Sequence, residues 1–147
     1  MTAYGGGFFQ LTQHLCGPSN YFEDLAEDHS GVHELADRMV EYNLYAIHHY
    51  VKAGVDCITF GDDWGAQDRL LIHPDVWRRF FLPSYAFIFP VARDAGVHVW
   101  FHTDGWVLEI IEDLIEIGVT AICPTRLYGD TACGTDRRRP CVYSHQH

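Results

Sequence analysis

Three short stretches of the sequence place polar side chains directly after apolar, strand-like runs. They are GDDWG at residues 61–65, HTDG at 102–105 and CPTR at 123–126. The adjacent carboxylates of Asp62 and Asp63 can accept hydrogen bonds from substrate N–H groups, or hold a proton if one of them is desolvated. Aspartates also cap turns. Two neighbouring acids followed by tryptophan and glycine favour a functional role for at least one of them.

The histidine–aspartate step that ends the second run suggests acid–base or metal chemistry. Imidazole and carboxylate groups are both zinc ligands, so His102 and Asp104 could begin a metal site. No third ligand follows at a recognisable spacing, and Cys123 at the next strand end is the best candidate. The structural alternatives are a core histidine, an aspartate that caps a helix starting near Trp106, and a small buried cysteine.

Aromatic and basic residues beside these motifs are candidate ligand contacts. Trp64 and Trp106 could line a pocket for a flat ligand, although tryptophans more often pack in a core. Arg69 could pair with a substrate carboxylate or form a surface salt bridge. The predicted site therefore comprises catalytic Asp62, Asp63, His102 and Asp104, substrate-binding Trp64, Arg69 and Trp106, and metal-binding His102, Asp104 and Cys123.

A repeated helix–strand unit must position these motifs. The phrases KAGV, DAGV and EIGV each put a glycine after a helical pattern and a valine at the start of an apolar run. Prolines at Pro83 and Pro90 predict breaks or kinks in the second helix. The predicted strands are 55–61, 97–102 and 119–124, and the predicted helices are 31–53, 73–95 and 106–117.

Alternating helices and strands imply right-handed crossovers and a parallel α/β sheet. A doubly wound sheet and a (β/α)₈ barrel both fit this pattern. No G-x-G-x-x-G motif follows any of the runs, which weakens the dinucleotide-binding version. A complete barrel needs about 250 residues. A chain of 147 residues with three clear strands could hold only part of one.

Composition narrows the classes of partner. The formal net charge is −10, with a single lysine, which disfavours nucleic-acid binding; the basic run 137–139 fits a solvated tail. No apolar run is long enough to cross a bilayer, and the start lacks the pattern of a signal peptide. Five cysteines without a C-x-x-C pair do not suggest a disulfide framework. We therefore expect a cytoplasmic protein without membrane or nucleic-acid partners.

From about residue 8 to residue 124 the chain resembles the uroporphyrinogen decarboxylase superfamily. The resemblance lies in the GDDWG strand end, the P…W..FF.P.Y helix that starts at Pro74, and the FHTDG strand end. It implies an α/β fold, a partial (β/α)₈ TIM barrel over residues 1–124, with its site at the carboxyl mouth. The irregular tail at 125–147 is expected to form no barrel element, and the chain is expected to be a fragment.

The superfamily resemblance implies two chemistries. One is cofactor-free decarboxylation of a tetrapyrrole, and Asp62 and Trp64 match the acid and tryptophan of the decarboxylases. Asp63 replaces a serine that helps to hold a substrate carboxylate. The other is zinc-assisted methyl transfer from a corrinoid protein to a small-molecule acceptor, in which His102 matches the histidine of a His-x-Cys pair and Asp104 replaces its cysteine.

A decarboxylase-like protein of porphyrin biosynthesis is the first functional prediction. It would be a lyase that needs no cofactor. A zinc-dependent methyltransferase that acts with a corrinoid protein and a catalytically inactive fragment are the two alternatives.

Overall fold

The strands form one parallel sheet in chain order. A computed structural model describes residues 1–124 and 141–142. Each strand pairs in parallel with the next one along the chain, in the order β1-β2-β3-β4-β5. A doubly wound sheet would reverse its strand order at a switch point, so this order is that of part of a (β/α)₈ barrel. The strands are β1 Thr2–Tyr4, β2 Cys57–Gly61, β3 His98–Thr103, β4 Ala121–Pro124 and β5 Cys141–Val142.

Helices connect the strands, as the repeated phrases predict. The glycines of those phrases, Gly54, Gly96 and Gly118, all have positive φ, the conformation that ends a helix before the next strand. A 3₁₀ turn at Leu108–Ile110 precedes the last helix. The helices are α1 Phe9–Cys16, α2 Pro18–Ala26, α3 Ser30–Lys52, α4 Pro74–Phe80, α5 Leu82–Asp94 and α6 Ile111–Glu116.

The two prolines of the predicted 73–95 helix behave differently. The helix is interrupted at Phe81, between α4 and α5, so that Pro83 lies in the first turn of α5. At Pro90 the helix does not break, because α5 continues through it, and a kink there stays a prediction. Pro90 is exposed, whereas its neighbour Phe89 is fully buried. The backbone carbonyl that Pro90 leaves without an N–H partner belongs to Ala86, which is exposed to solvent.

The two faces of the sheet differ sharply in burial. Side chains on the helix-covered face, such as Phe60 and Phe101, are completely buried. On the opposite face, which would point into a barrel, Tyr4 is 63% exposed and Trp100 is 41% exposed. The described sheet is therefore covered by helices on one face and open on the other. Among the described helices, none has the length and apolarity that a bilayer crossing requires.

Both ends of the chain add elements that the sequence patterns did not predict. At the N-terminus, β1 pairs with β2, and α1 and α2 follow it. The prediction of an irregular tail at 125–147 falls mostly outside the described residues. Within that range, only Cys141–Val142 is described, and it pairs in parallel with β4.

Candidate functional site

The loops that follow β2 and β3 are held together at the carboxyl edge of the sheet. Their contacts are mainly between backbone groups, so they depend on the path of the chain more than on side-chain identity. The two strand-end motifs therefore form one structural unit. The hydrogen bonds are Asp62 N–H to His102 O at 3.1 Å, Gly65 N–H to Asp104 O at 2.9 Å, Trp106 N–H to Ala66 O at 2.8 Å, and Trp64 N–H to Thr103 Oγ1 at 3.2 Å.

Two glycines make this close approach possible. Gly105 has a φ of +80°, and a Cβ atom there would lie 2.2 Å from the carbonyl oxygen of Gly65. A Cβ atom on Gly65 would lie 2.3 Å from the backbone nitrogen of Trp106. Side chains at either position would force the loops apart. The glycine behind Asp104 thus allows the second motif to pack against the first.

Packing the loops together gathers three candidate ligands, Asp63, His102 and Asp104. One potential ligand atom from each residue lies within 4.8 Å of the others, and all three side chains are half-buried. His102 Nε2 is 3.5 Å from Asp104 Oδ1. The Asp104 N–H donates to Asp63 Oδ1 at 2.9 Å. Three of the four predicted catalytic residues are therefore close enough to act on one ion or one ligand.

The fourth predicted catalytic residue, Asp62, lies in a different environment. Its side chain is fully buried and accepts hydrogen bonds from the backbone N–H groups of Phe8, Phe9 and Gln10, and from the Tyr85 hydroxyl. Burial raises the pKa of Asp62 to about 6, while these four hydrogen bonds act in the opposite direction. The carboxylate holds the start of α1 against the end of β2.

The predicted substrate contacts are dispersed. Trp64 is fully buried, with its ring stacked on Phe9 at a centroid distance of 4.3 Å. Trp106 is half-buried on the loop after β3, next to the cluster in sequence. Arg69 lies in an exposed turn and pairs with Asp68 at 3.0 Å. Substrate contacts by these three residues stay predictions, and Trp106 is the best placed of them.

Cys123 lies beside the cluster without joining it. It is opposite His102 in the parallel register of β3 and β4, so both side chains face the open side of the sheet. Burial, and then the charge of Asp104, raise the pKa of the Cys123 thiol. Metal ions bind the thiolate form of cysteine, so a raised pKa makes Cys123 a weaker ligand. Its role as a ligand stays a prediction.

Two further residues near the cluster come from the N-terminal segment, which carries no catalytic motif. The Gln10 side-chain amide donates to Asp63 Oδ2. The Tyr4 hydroxyl lies over Gly61, 3.1 Å from where a Cβ atom would stand. Burial, and then the charges of Asp62 and Asp63, raise the pKa of Tyr4, so its hydroxyl stays protonated. The run Gly5–Gly7 between them is the sequence signal for a close backbone approach.

Comparison with known proteins supports one family. Residues 1–126 match the family model described as uroporphyrinogen decarboxylase (URO-D). A methyltransferase from Methanosarcina mazei has a similar structure, with a TM-score of 0.64 and 21% sequence identity. The match covers 81% of this chain and 34% of the methyltransferase, so the chain spans about a third of that protein's length. This likeness shows a shared fold. No curated protein matches the chain significantly.

Proposed function

Since the chain belongs to the uroporphyrinogen decarboxylase (URO-D) family, we propose that it is a zinc-binding member of the methyltransferase type, with Asp63, His102 and Asp104 as ligands. The observation that carries this proposal is the convergence of three ligand atoms within 4.8 Å at the ends of β2 and β3. A solved structure that shares this fold is that of a methyltransferase, which supports the same choice.

The donor set of the cluster fits zinc. Histidine nitrogen and carboxylate oxygen bind zinc at about 2.0–2.2 Å, which places tetrahedral ligand atoms roughly 3–4 Å apart. The His102 Nε2 to Asp104 Oδ1 distance of 3.5 Å lies in that range. Three protein ligands leave a fourth position for a substrate, as in catalytic zinc sites. All three side chains are half-buried, so an ion can reach them from solvent.

The charges of the cluster argue against a decarboxylase for porphyrin-type substrates. Asp63 stands where the resemblance implies a serine that holds a substrate carboxylate, and Asp104 brings a second acid to the same edge. Without a cation, two neighbouring carboxylates repel the acetate groups of a tetrapyrrole. The same two carboxylates would attract a divalent cation, and the bound cation would neutralise their charge.

The residues of this chain would divide the work as follows. Bound zinc would act as a Lewis acid that lowers the pKa of the thiol of the methyl acceptor. Asp63, His102 and Asp104 would hold the ion on the open side of the sheet, where an acceptor can approach it. The protonated Tyr4 hydroxyl would donate a hydrogen bond to the acceptor. The methyl group would come from a separate corrinoid protein.

A second candidate function is metal binding without turnover. The open face of the sheet, with Tyr4 63% and Trp100 41% exposed, favours it. Methyl transfer requires that donor and acceptor be oriented in a site from which water is excluded. An open face gives solvent access to the cluster, so the chain by itself would bind zinc and transfer methyl groups slowly or not at all.

Zinc content of the purified 147-residue chain tests the proposal. We expect one zinc ion per chain by mass spectrometry of the metal, and loss of that ion in His102→Ala and Asp104→Asn. His98→Ala is the matched control, because His98 lies on the same strand and the same face, four residues from His102. A wild-type chain without zinc affinity, or an equal loss in His98→Ala, would refute the site.

An activity assay separates the two candidate functions. Methylcobalamin serves as the methyl donor and 2-mercaptoethanol as the acceptor, and demethylation is followed by absorbance. A zinc-dependent rate that disappears in His102→Ala supports the methyltransferase. Stoichiometric zinc with no rate above the uncatalysed reaction supports metal binding without turnover.

A further inference from the structure

We infer that Gln10 is a positioning residue that orients the Asp63 carboxylate toward the metal, an assignment that rests on the proposed function. Gln10 is not a candidate ligand itself. It acts through the hydrogen bond that its side-chain amide donates to Asp63 Oδ2.

The two oxygens of Asp63 are each held by a different part of the chain. Oδ1 accepts the N–H of Asp104 at 2.9 Å, and Oδ2 accepts the amide of Gln10. A carboxylate with one donor on each oxygen has its plane and rotamer fixed. Each oxygen keeps a further lone pair for a metal. Such outer hydrogen bonds to ligating carboxylates orient the ligand and raise metal affinity.

Gln10 is itself held firmly by the neighbouring acid. Its backbone N–H donates to Asp62 Oδ1 at 2.9 Å, and Phe8 and Phe9 donate to the same carboxylate. One residue of α1 therefore contacts both consecutive aspartates, Asp62 through its backbone and Asp63 through its side chain. The backbone contact holds Gln10 in place, and the side-chain contact fixes the direction of the Asp63 carboxylate.

Replacement of the amide by an apolar group of similar length tests this role. In Gln10→Met the side chain keeps most of its shape and loses its donors. We expect the zinc dissociation constant, measured by calorimetry, to rise roughly tenfold or more, the usual effect of losing an outer hydrogen bond. Gln13→Met is the matched control, because Gln13 is the other glutamine of α1 and is also half-buried. Its affinity should equal that of the wild type.

Two additional readouts separate positioning from a structural role. The metal-free Gln10→Met chain should unfold in urea at the same concentration as the metal-free Gln13→Met chain. With cobalt in place of zinc, the visible absorption bands of Gln10→Met should shift relative to wild type, because the Asp63 ligand is no longer held in one orientation. Gln10→Ala should reproduce both effects if methionine packs poorly.

The outcomes distinguish this inference from the proposed function. If Gln10→Met binds zinc as tightly as wild type and gives the same cobalt spectrum, the inference is overturned and the metal site stands. If Gln10→Met and Gln13→Met lose affinity equally, the loss belongs to the helix, and the inference is also overturned. If the wild-type chain binds no zinc, the proposed function and the inference are both rejected.

Discussion

Asp62 and Asp63 are consecutive residues, yet they belong to two regions with opposite properties. Asp62 is fully buried and accepts hydrogen bonds from four donors, which lie at Phe8, in the first turn of α1 and in α5. Asp63 is half-buried and lies beside His102 and Asp104 on the open side of the sheet. Consecutive residues at the end of a strand point to opposite faces. The same type of side chain therefore stabilises the fold at Asp62 and is available for chemistry at Asp63.

This contrast also shows how the two regions depend on each other. The buried Asp62 carboxylate fixes the start of α1, and α1 places Gln10 beside Asp63. The cluster is half-buried, yet its geometry is fixed. Gln10 on α1 and the close backbone contacts between the loops after β2 and β3 hold its side chains in place. Changes in the two regions should consequently be separable, with stability affected in one and ligand binding in the other.

The largest effect is expected from Asp62→Ala. The substitution leaves three backbone N–H groups and the Tyr85 hydroxyl without their acceptor, and each buried donor without a partner costs about 1–3 kcal/mol. We expect the free energy of unfolding in urea at pH 7 to fall by about 4 kcal/mol or more. Asp63→Ala should change it by less than about 1 kcal/mol. Equal effects of the two substitutions would remove the distinction between the regions.

A smaller effect is expected from pH. The folded pKa of Asp62, about 6, lies above its ordinary value of 3.8, so the folded chain binds more protons between these values. The stabilisation from protonation is complete below about pH 4 and is lost as the pH rises through about 6, by on the order of 3 kcal/mol in total. The free energy of unfolding of Asp62→Asn should lack this decrease. A carbon-13 titration of the Asp62 carboxyl with a midpoint near 4 would contradict it.

The smallest effect is expected where the two loops meet. Gly105→Ala places a methyl group 2.2 Å from the Gly65 carbonyl oxygen at a φ of +80°. Gly96→Ala is the matched control, because its φ is +79° and nothing lies within 4 Å of the new methyl group. The backbone conformation costs each variant about 1 kcal/mol. We expect Gly105→Ala to lose about 2 kcal/mol more and to bind zinc more weakly. Identical unfolding curves would show that the close contact is unimportant.

Much of the fold could be predicted from local patterns in the sequence. The phrases around Gly54, Gly96 and Gly118 mark helix ends that the structure confirms. The alternation of helices and strands predicted a parallel sheet, and the structure then decided its strand order in favour of a partial barrel. Because parallel strands share one carboxyl edge, the sequence also predicted that the residues after β2 and β3 would meet there. The half-buried cluster of Asp63, His102 and Asp104 lies at that edge.

Other features could not be predicted because their partners are distant in the chain. The sequence allowed Asp104 to cap a helix that starts near Trp106, but the 3₁₀ turn begins at Leu108 and its N-cap is Val107. Gln10 and Tyr4 precede Asp63 by 53 and 59 positions, and no spacing rule connects them. Trp64 is in a motif beside the cluster, but its ring packs inside the aromatic core against Phe9.

The sequence by itself determined the helices between residues 31 and 117, the three central strands and the polar character of the strand ends, because these depend on periodicity and on neighbouring residues. Only the tertiary structure decided which of two consecutive carboxylates is buried. That choice depends on donors from the start of α1 and from Tyr85 reaching one side of the strand end, while the other side stays open. A carboxylate can be buried only where such donors are in position to bond it. Their arrangement exists only in the folded chain.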